Sequence, residues 1–229
     1  MKTSDDGVRR GVSPGEPPRI DSREGIFCGP NRGGPGDTAA IGYIPHDARW
    51  SVYATGYRDA ADIVANWVQT GGRHQDFLVY PIIYLYRHYL ELRIKQLIFE
   101  ARDLKEDRDP STPDTHDIAK LWNVCRTLLE GEPLSYRMGR DAGMADVELV
   151  VSEMKTHDPD SSAFRYPYGK PKRKTQKRTP LLAGLKEVNL VSLGELMESA
   201  GDFLDGVEMH IDHLRECIVR EATERLDRE

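Results

Sequence analysis

The stretch YPIIYLYRHYLELRIKQLIFEARDL, Tyr80 to Leu104, decides the fold. Wound as a helix, it places Ile83, Tyr86, Leu90, Ile94, Leu97, Ala101 and Leu104 on one stripe, the spacing of a helix that lays an apolar face on a core. The helix is expected from about Asp76 to Leu104, with Pro81 in its first turns, where a missing amide donor is tolerable. One residue is out of place: Arg87 falls inside the apolar stripe, and Glu91, one turn later, falls at its edge. A guanidinium on a core face must be paired or must look into a cleft, because burial alone is costly.

Helical spacing continues on both sides of this element. Upstream, Trp50, Tyr53, Tyr57, Ala60, Ala61, Val64, Trp67 and Val68 recur at three- and four-residue steps, and Gly71-Gly72 closes the run. Downstream, an Asp/Pro-rich loop leads to a third helix with Ile118, Leu121, Trp122, Cys125 and Leu128 on one face and Asp114 or Thr115 as its N-cap. Val147, Val150, Val151 and Met154 mark a fourth helix ending near His157. Ala163-Phe164-Arg165-Tyr166-Pro167 is read as extended, which would turn Phe164 and Tyr166 inward and Arg165 outward. The last helix carries Leu196, Ala200, Phe203, Val207, Ile211, Leu214 and Ile218, and Ser192 with Glu195 predicts a capping box stapled by Val191 and Leu196. No strand-like alternation and no internal repeat appears. The expectation is an all-α bundle of about five helices over residues 43–229, with an irregular insert at 158–187. Residues 1–42, dense in Gly, Pro, Asp and Arg, read as a flexible tail.

Composition excludes several classes. No apolar run reaches the roughly 20 residues of a membrane span; the best, Phe77 to Leu92, already holds Arg87, His88 and Glu91. No apolar leader stands at the N-terminus, so no signal peptide is read. Cys28, Cys125 and Cys217 are odd in number and far apart, which favours a reducing, cytoplasmic setting over a disulfide framework or thiolate zinc site. A net charge of −6 argues against a chain that coats nucleic acid over its whole surface. Locally, however, Lys170, Lys172, Arg173, Lys174, Lys177 and Arg178 crowd one short stretch, which either holds phosphate by counterion release or keeps a loop solvated.

The chemistry-bearing candidates are few. Arg87, positioned by Glu91, either binds a phosphate or carboxylate in an inter-helix cleft or forms a buried bridge, for which Asp146, Glu153 and Asp202 are the partners on offer. The in-helix order Arg then Glu is the weaker i,i+4 orientation, which is why a partner from elsewhere is sought. His88 lies beside Tyr84, Glu91 and Lys95 on the wheel, with an imidazole suited to acid/base work. His116 and Asp117 open the third helix, where backbone amides favour anions. Arg165, flanked by Phe164 and Tyr166, can stack on a base, grip a phosphate or lock a loop. His210 and His213 are one turn apart, but the paired Glu-x-x-His motifs of di-iron proteins are lacking, so neither metal nor cofactor is expected. There is no Walker loop, GxGxxG, GxSxG or HExxH.

YPIIYLYRHYLELRIKQL at 80–97, HDIAKLW at 116–122 and FRYP at 164–167 together resemble a group of bacterial helical proteins without an assigned activity, over roughly residues 77–218. More distantly the layout resembles HEPN-type domains, helical bundles that often act as ribonucleases in toxin–antitoxin and phage-defence systems. The hallmark of active HEPN ribonucleases is an arginine, four to six residues, then a histidine. None of the seven histidines has an arginine at that upstream spacing, and Arg87 and His88 are adjacent, about 100° apart on a helix. The resemblance thus implies a bundle that binds RNA or a nucleotide phosphate without the standard motif, as a homodimer or in a small assembly. Two alternatives stand beside it: a metal-independent endonuclease with a rearranged Arg/His site using His88 or His116, and a bundle that only binds other proteins.

Overall fold

The computed structural model describes residues 39, 44–45, 48–105, 112–136, 142–171 and 178–228. Among them the chain is an all-α bundle of five helices: α1 (Arg49–Gln69), α2 (Gln75–Leu104), α3 (Ile118–Glu130), α4 (Ala142–His157) and α5 (Leu190–Leu226). The tail at 1–42, apart from Ala39, lies outside the described residues, as do Lys172, Arg173, Lys174 and Lys177 of the basic stretch.

α2 is the central element. It packs against α1, α3 and α5, so it is buried on more than its one apolar stripe. Ile83, Tyr86, Leu90, Ile94, Leu97 and Ala101 are buried as their spacing requires, and Ile82, Tyr89, Arg93, Gln96 and Ile98 are buried as well. A helix enclosed on several sides loses its amphipathic contrast. Pro81 sits in the second turn, exposed, where its missing N–H leaves the Phe77 carbonyl without its i+4 donor.

The turn from α1 to α2 follows the glycine signal. Gly71 adopts φ 102°, a left-handed conformation that glycine takes without Cβ strain, and the Gly72 N–H donates to the Trp67 carbonyl at 2.9 Å. Three other local readings are corrected. The α3 N-cap is Asp117, not Asp114 or Thr115; its carboxylate accepts from the Lys120 N–H. The α5 N-cap is Asn189, whose side-chain oxygen accepts from the Val191 and Ser192 N–H groups at 3.1 Å, so Ser192 lies inside the first turn and Val191 is exposed. Residues 163–165 form a turn rather than an extended strand, with the Tyr166 N–H donating to the Ser162 carbonyl at 2.9 Å. That turn buries Phe164 and leaves both Arg165 and Tyr166 in solvent, so the two aromatics do not share a face.

Because Asn189 satisfies two orphan donors of the longest helix, Asn189→Ala is expected to cost about 1 kcal/mol, read by chemical denaturation, while Ser192→Ala stays near zero. The opposite ranking would restore the cap to Ser192.

Candidate functional site

The motifs at 84–95, 116–117 and 158–166 are far apart in sequence and meet around Arg87. Arg87 is their hub. It is completely buried, yet every guanidinium nitrogen has a partner. Nη1 bonds the Glu91 carboxylate at 3.1 Å, Nη2 donates to the His116 carbonyl at 2.7 Å, and Nε donates to the Asp158 carbonyl at 3.2 Å. The Asp158 carboxylate also lies 3.2 Å from Nε, as a charge contact without hydrogen-bond geometry, while its other oxygen accepts from the Ala163 N–H at 2.7 Å. One side chain thus ties α2 to the start of α3, the end of α4 and the turn that carries Arg165. The reading in which Arg87 opens into a ligand cleft is corrected: no part of it is left for a phosphate, and it is the buried bridge.

Its partner is Asp158, not Asp146, Glu153 or Asp202. Glu153 and Asp202 are exposed, and Asp146 accepts from Ser199. Asp158 could have been noticed, since an aspartate directly after a helix C-terminus opposes the helix dipole and calls for a cation.

Glu91 is a buried carboxylate with three cationic or polar neighbours. Besides Arg87, it accepts from Lys95 Nζ at 2.9 Å and lies 2.8 Å from His116 Nδ1. Burial pushes its carboxyl up, but the hydrogen bonds from Lys95 and His116 outweigh it and hold the pKa below the usual glutamate value. Glu91 is therefore ionised at neutral pH. His116 stays mostly in solvent, with 69% of its side chain exposed, so a buried anion orients a surface imidazole. Asp117 is engaged within the bundle. It caps α3 and pairs with Lys155 on α4, and that hydrogen bond is the main reason its carboxyl sits below its ordinary value.

On the same face of α2, His88 stacks on Tyr84 (centroids 5.9 Å, planes 11° apart) and meets Tyr57 edge-on at 4.3 Å. Burial lowers its pKa, against the upward pull of Glu91, so the ring is neutral at pH 7 and cannot supply a positive charge. Arg165 comes over the Tyr84 ring at 5.7 Å and the Tyr166 ring at 5.2 Å. Its charge also reaches His88, as does that of Lys95. Tyr84, His88, Arg165 and Tyr166 therefore form one group, and Lys95 and His116 a second held by Glu91; of these side chains His116, Arg165 and Tyr166 are exposed, while Lys95 is nearly buried. Lys170 is exposed a few residues beyond Tyr166.

Other candidates fall outside these two groups. His210 Nε2 is engaged with the Leu134 carbonyl at 3.0 Å, whereas His213 faces Cys217 at 3.7 Å, so the two imidazoles do not act together. Among the described residues no group of three or more His, Cys, Asp and Glu side chains could hold a metal ion, and no helix is long and apolar enough to cross a membrane. Cys125 is buried, which raises its thiol to about 12 and makes it inert. The chain matches no known family model, no curated protein and no solved structure.

Proposed function

We propose that the exposed side chains of these groups bind RNA or a nucleotide through its phosphate and a stacked base, without the standard HEPN catalytic motif, in keeping with a HEPN-like module of a bacterial defence or toxin-type system. The observation that carries the reading is Arg165: an exposed guanidinium held against Tyr84 and Tyr166, where its remaining N–H groups can fork onto a phosphate. Tyr166 is 54% exposed and Tyr168 51%, so each offers a ring face to a base. In this reading the exposed His116 and Lys170 add further donors. A dimer or small assembly belongs to the same reading, through the C-terminal part of α5, where Ile218, Val219 and Leu226 are exposed.

The test is titration of a fluorescent single-stranded RNA into the protein at low and high salt. Arg165→Ala is expected to weaken binding at least tenfold, with unchanged unfolding, since Arg165 is exposed and outside the Arg87 hub. Loss of one base stack in Tyr166→Ala is expected to weaken it further, by about 1–3 kcal/mol. Affinity indifferent to salt and to both substitutions overturns the assignment.

One observation favours the endonuclease reading as a second. Glu91 fixes His116 through Nδ1 and leaves the ring largely exposed, the arrangement that orients an imidazole for proton transfer. Between the two histidines, His116 is the better acid/base, because His88 is half-buried between aromatic rings. This reading expects RNA cleavage in EDTA that disappears in His116→Ala and survives in His88→Ala; intact RNA at high protein concentration leaves binding as the function.

A further inference from the structure

We propose that a hollow between α4, α5 and the segment 185–189 binds a small hydrophobic amine, its apolar body inside and its ammonium at the mouth. The inference does not rest on the RNA reading.

The hollow follows from how the chain crosses this side of the bundle. Between the Tyr168–Pro180 bridge and the Asn189 cap, residues 181–188 run without helix or strand. An irregular segment has no regular stripe to lay on the helices beneath it. It covers them with single side chains, among them Leu182, Leu185 and Val188, all half-buried against the core. Room is left on both sides. One hollow of about 410 Å³ lies toward the start of α2 and another of about 320 Å³ toward α4 and α5, and Phe164, Leu185, Glu187 and Val188 line both. Packed interiors leave few voids larger than a water molecule, whereas spaces of this size are on the scale of small-ligand sites.

The second hollow separates apolar from charged lining. Ile83, Val150, Met154 and Phe164 line it and are buried, which makes an apolar floor. Leu185, Val188, Leu193 and Leu196 line it half-buried, as apolar walls. Glu153 and Glu187 line the same space and are exposed, so they stand at its mouth. Neither glutamate has an ion-pair or hydrogen-bond partner among the described residues. No lysine or arginine lines this hollow. Lys155, on the same helix as Glu153, is taken by Asp117, and Lys186 lines the first hollow only. The rest of the lining is His157, Ser192 and Asn189, whose side chain is occupied in capping α5.

This arrangement selects one class of occupant. The floor and walls take an aliphatic or aromatic body, which gains by leaving water. Two carboxylates without a compensating cation attract a positive head and repel a carboxylate or a phosphate. Because both are exposed and screened by solvent, charge sets the preference while the apolar body supplies most of the affinity.

The test is calorimetric titration of the full chain with three probes of similar apolar body: phenylbutylamine, phenylbutanol and phenylbutyrate. It is run at about pH 8, where an ordinary imidazole is neutral and a primary amine is charged. The amine is expected to bind about threefold tighter than the alcohol and about tenfold tighter than the carboxylate, the scale of solvent-screened charge pairs. Glu153→Gln combined with Glu187→Gln should erase that ranking and leave unfolding unchanged, since both side chains are exposed. Val188→Phe puts a ring into the space and should weaken all three probes about tenfold. The proposal fails if the amine does not bind, if the three probes bind alike, or if the ranking survives the double substitution. It also fails if folded Val188→Phe binds the amine as the parent does; should that variant not fold, the double substitution decides alone.

Discussion

Arg87→Met is expected to destabilise the fold by about 3–5 kcal/mol, the range for removing one member of a buried ion pair. Swapping a whole buried charged set for apolar residues is often harmless, but this substitution removes only the cation. Glu91 stays ionised, because Lys95 and His116 still hold its carboxyl below the ordinary value, and Asp158 keeps a single backbone donor. The carbonyls of His116 and Asp158 lose their donors as well. Four groups on three elements are thus left short at once, all in a region that Arg87 fills completely. Arg87→Lys keeps the charge but not the planar fork that reaches α3 and α4 together, so it should fall between parent and Arg87→Met. Urea unfolding followed by circular dichroism measures both; a loss under about 1 kcal/mol for Arg87→Met would show the bridge to be dispensable. Acid provides a second readout. A carboxyl held below its unfolded value contributes stability that is present above the normal glutamate range and lost as pH falls through the folded value, so Glu91 adds an acid-labile part to the stability.

The bundle was legible because helical period is a local signal. The stripes of α2, α3, α4 and α5 follow from three- and four-residue spacing, and Gly71-Gly72 marks the end of α1 by backbone chemistry alone. What escaped depends on contacts between distant residues. Asn189 and Ser192 are both good caps, three residues apart, and spacing alone does not choose between them. Arg87 announces that it needs a partner, but Asp158 is 71 residues away and sits in a turn. Arg93 carried no comparable mark, because the stripe of apolar residues gives α2 a single buried face. The sequence did carry a trace of the second: Arg93, Gln96 and Glu100 form a polar track on the flank of the apolar stripe, and the fold turns that track toward α5. The candidate surface was half visible. His88, His116, Arg165 and Tyr166 were each marked out, but the place of Lys95 beside Glu91, and the division between a buried clamp and the exposed side chains around it, required the tertiary arrangement.

That polar track leads to the second large effect. Arg93 is buried and bonds Gln96 within α2, and on α5 it bonds Asp205 and Glu208, both at 2.6 Å. The Gln96 amide donates at once to Glu208 at 2.7 Å and to Glu100 at 2.8 Å, leaving the other Glu100 oxygen buried with no hydrogen-bond partner. Burial raises the Glu100 carboxyl, Glu208 and Asp212 raise it further, and the Gln96 bond and Arg93 only partly offset them; the result is about 7. In the unfolded chain the group titrates near 4.5. Between those values the folded state binds the extra proton, so stability is full below the unfolded value and declines as pH rises through the folded one. A shift of this size corresponds to roughly 3 kcal/mol lost on going from acid to slightly alkaline solution. Glu100→Gln keeps the shape and removes the ionisation. It is expected to match the parent near pH 4 and to exceed it by about 3 kcal/mol at pH 8, with Glu100→Asp retaining the slope. Denaturant midpoints at the two pH values decide it. If parent and Glu100→Gln lose stability in parallel as pH rises, the dependence does not arise at Glu100 and the assignment fails. If the slope vanishes with Glu100, a single carboxyl makes the central helix and the longest helix part more readily in alkaline solution than in acid, opposite to the dependence that Glu91 imposes at the other flank of α2.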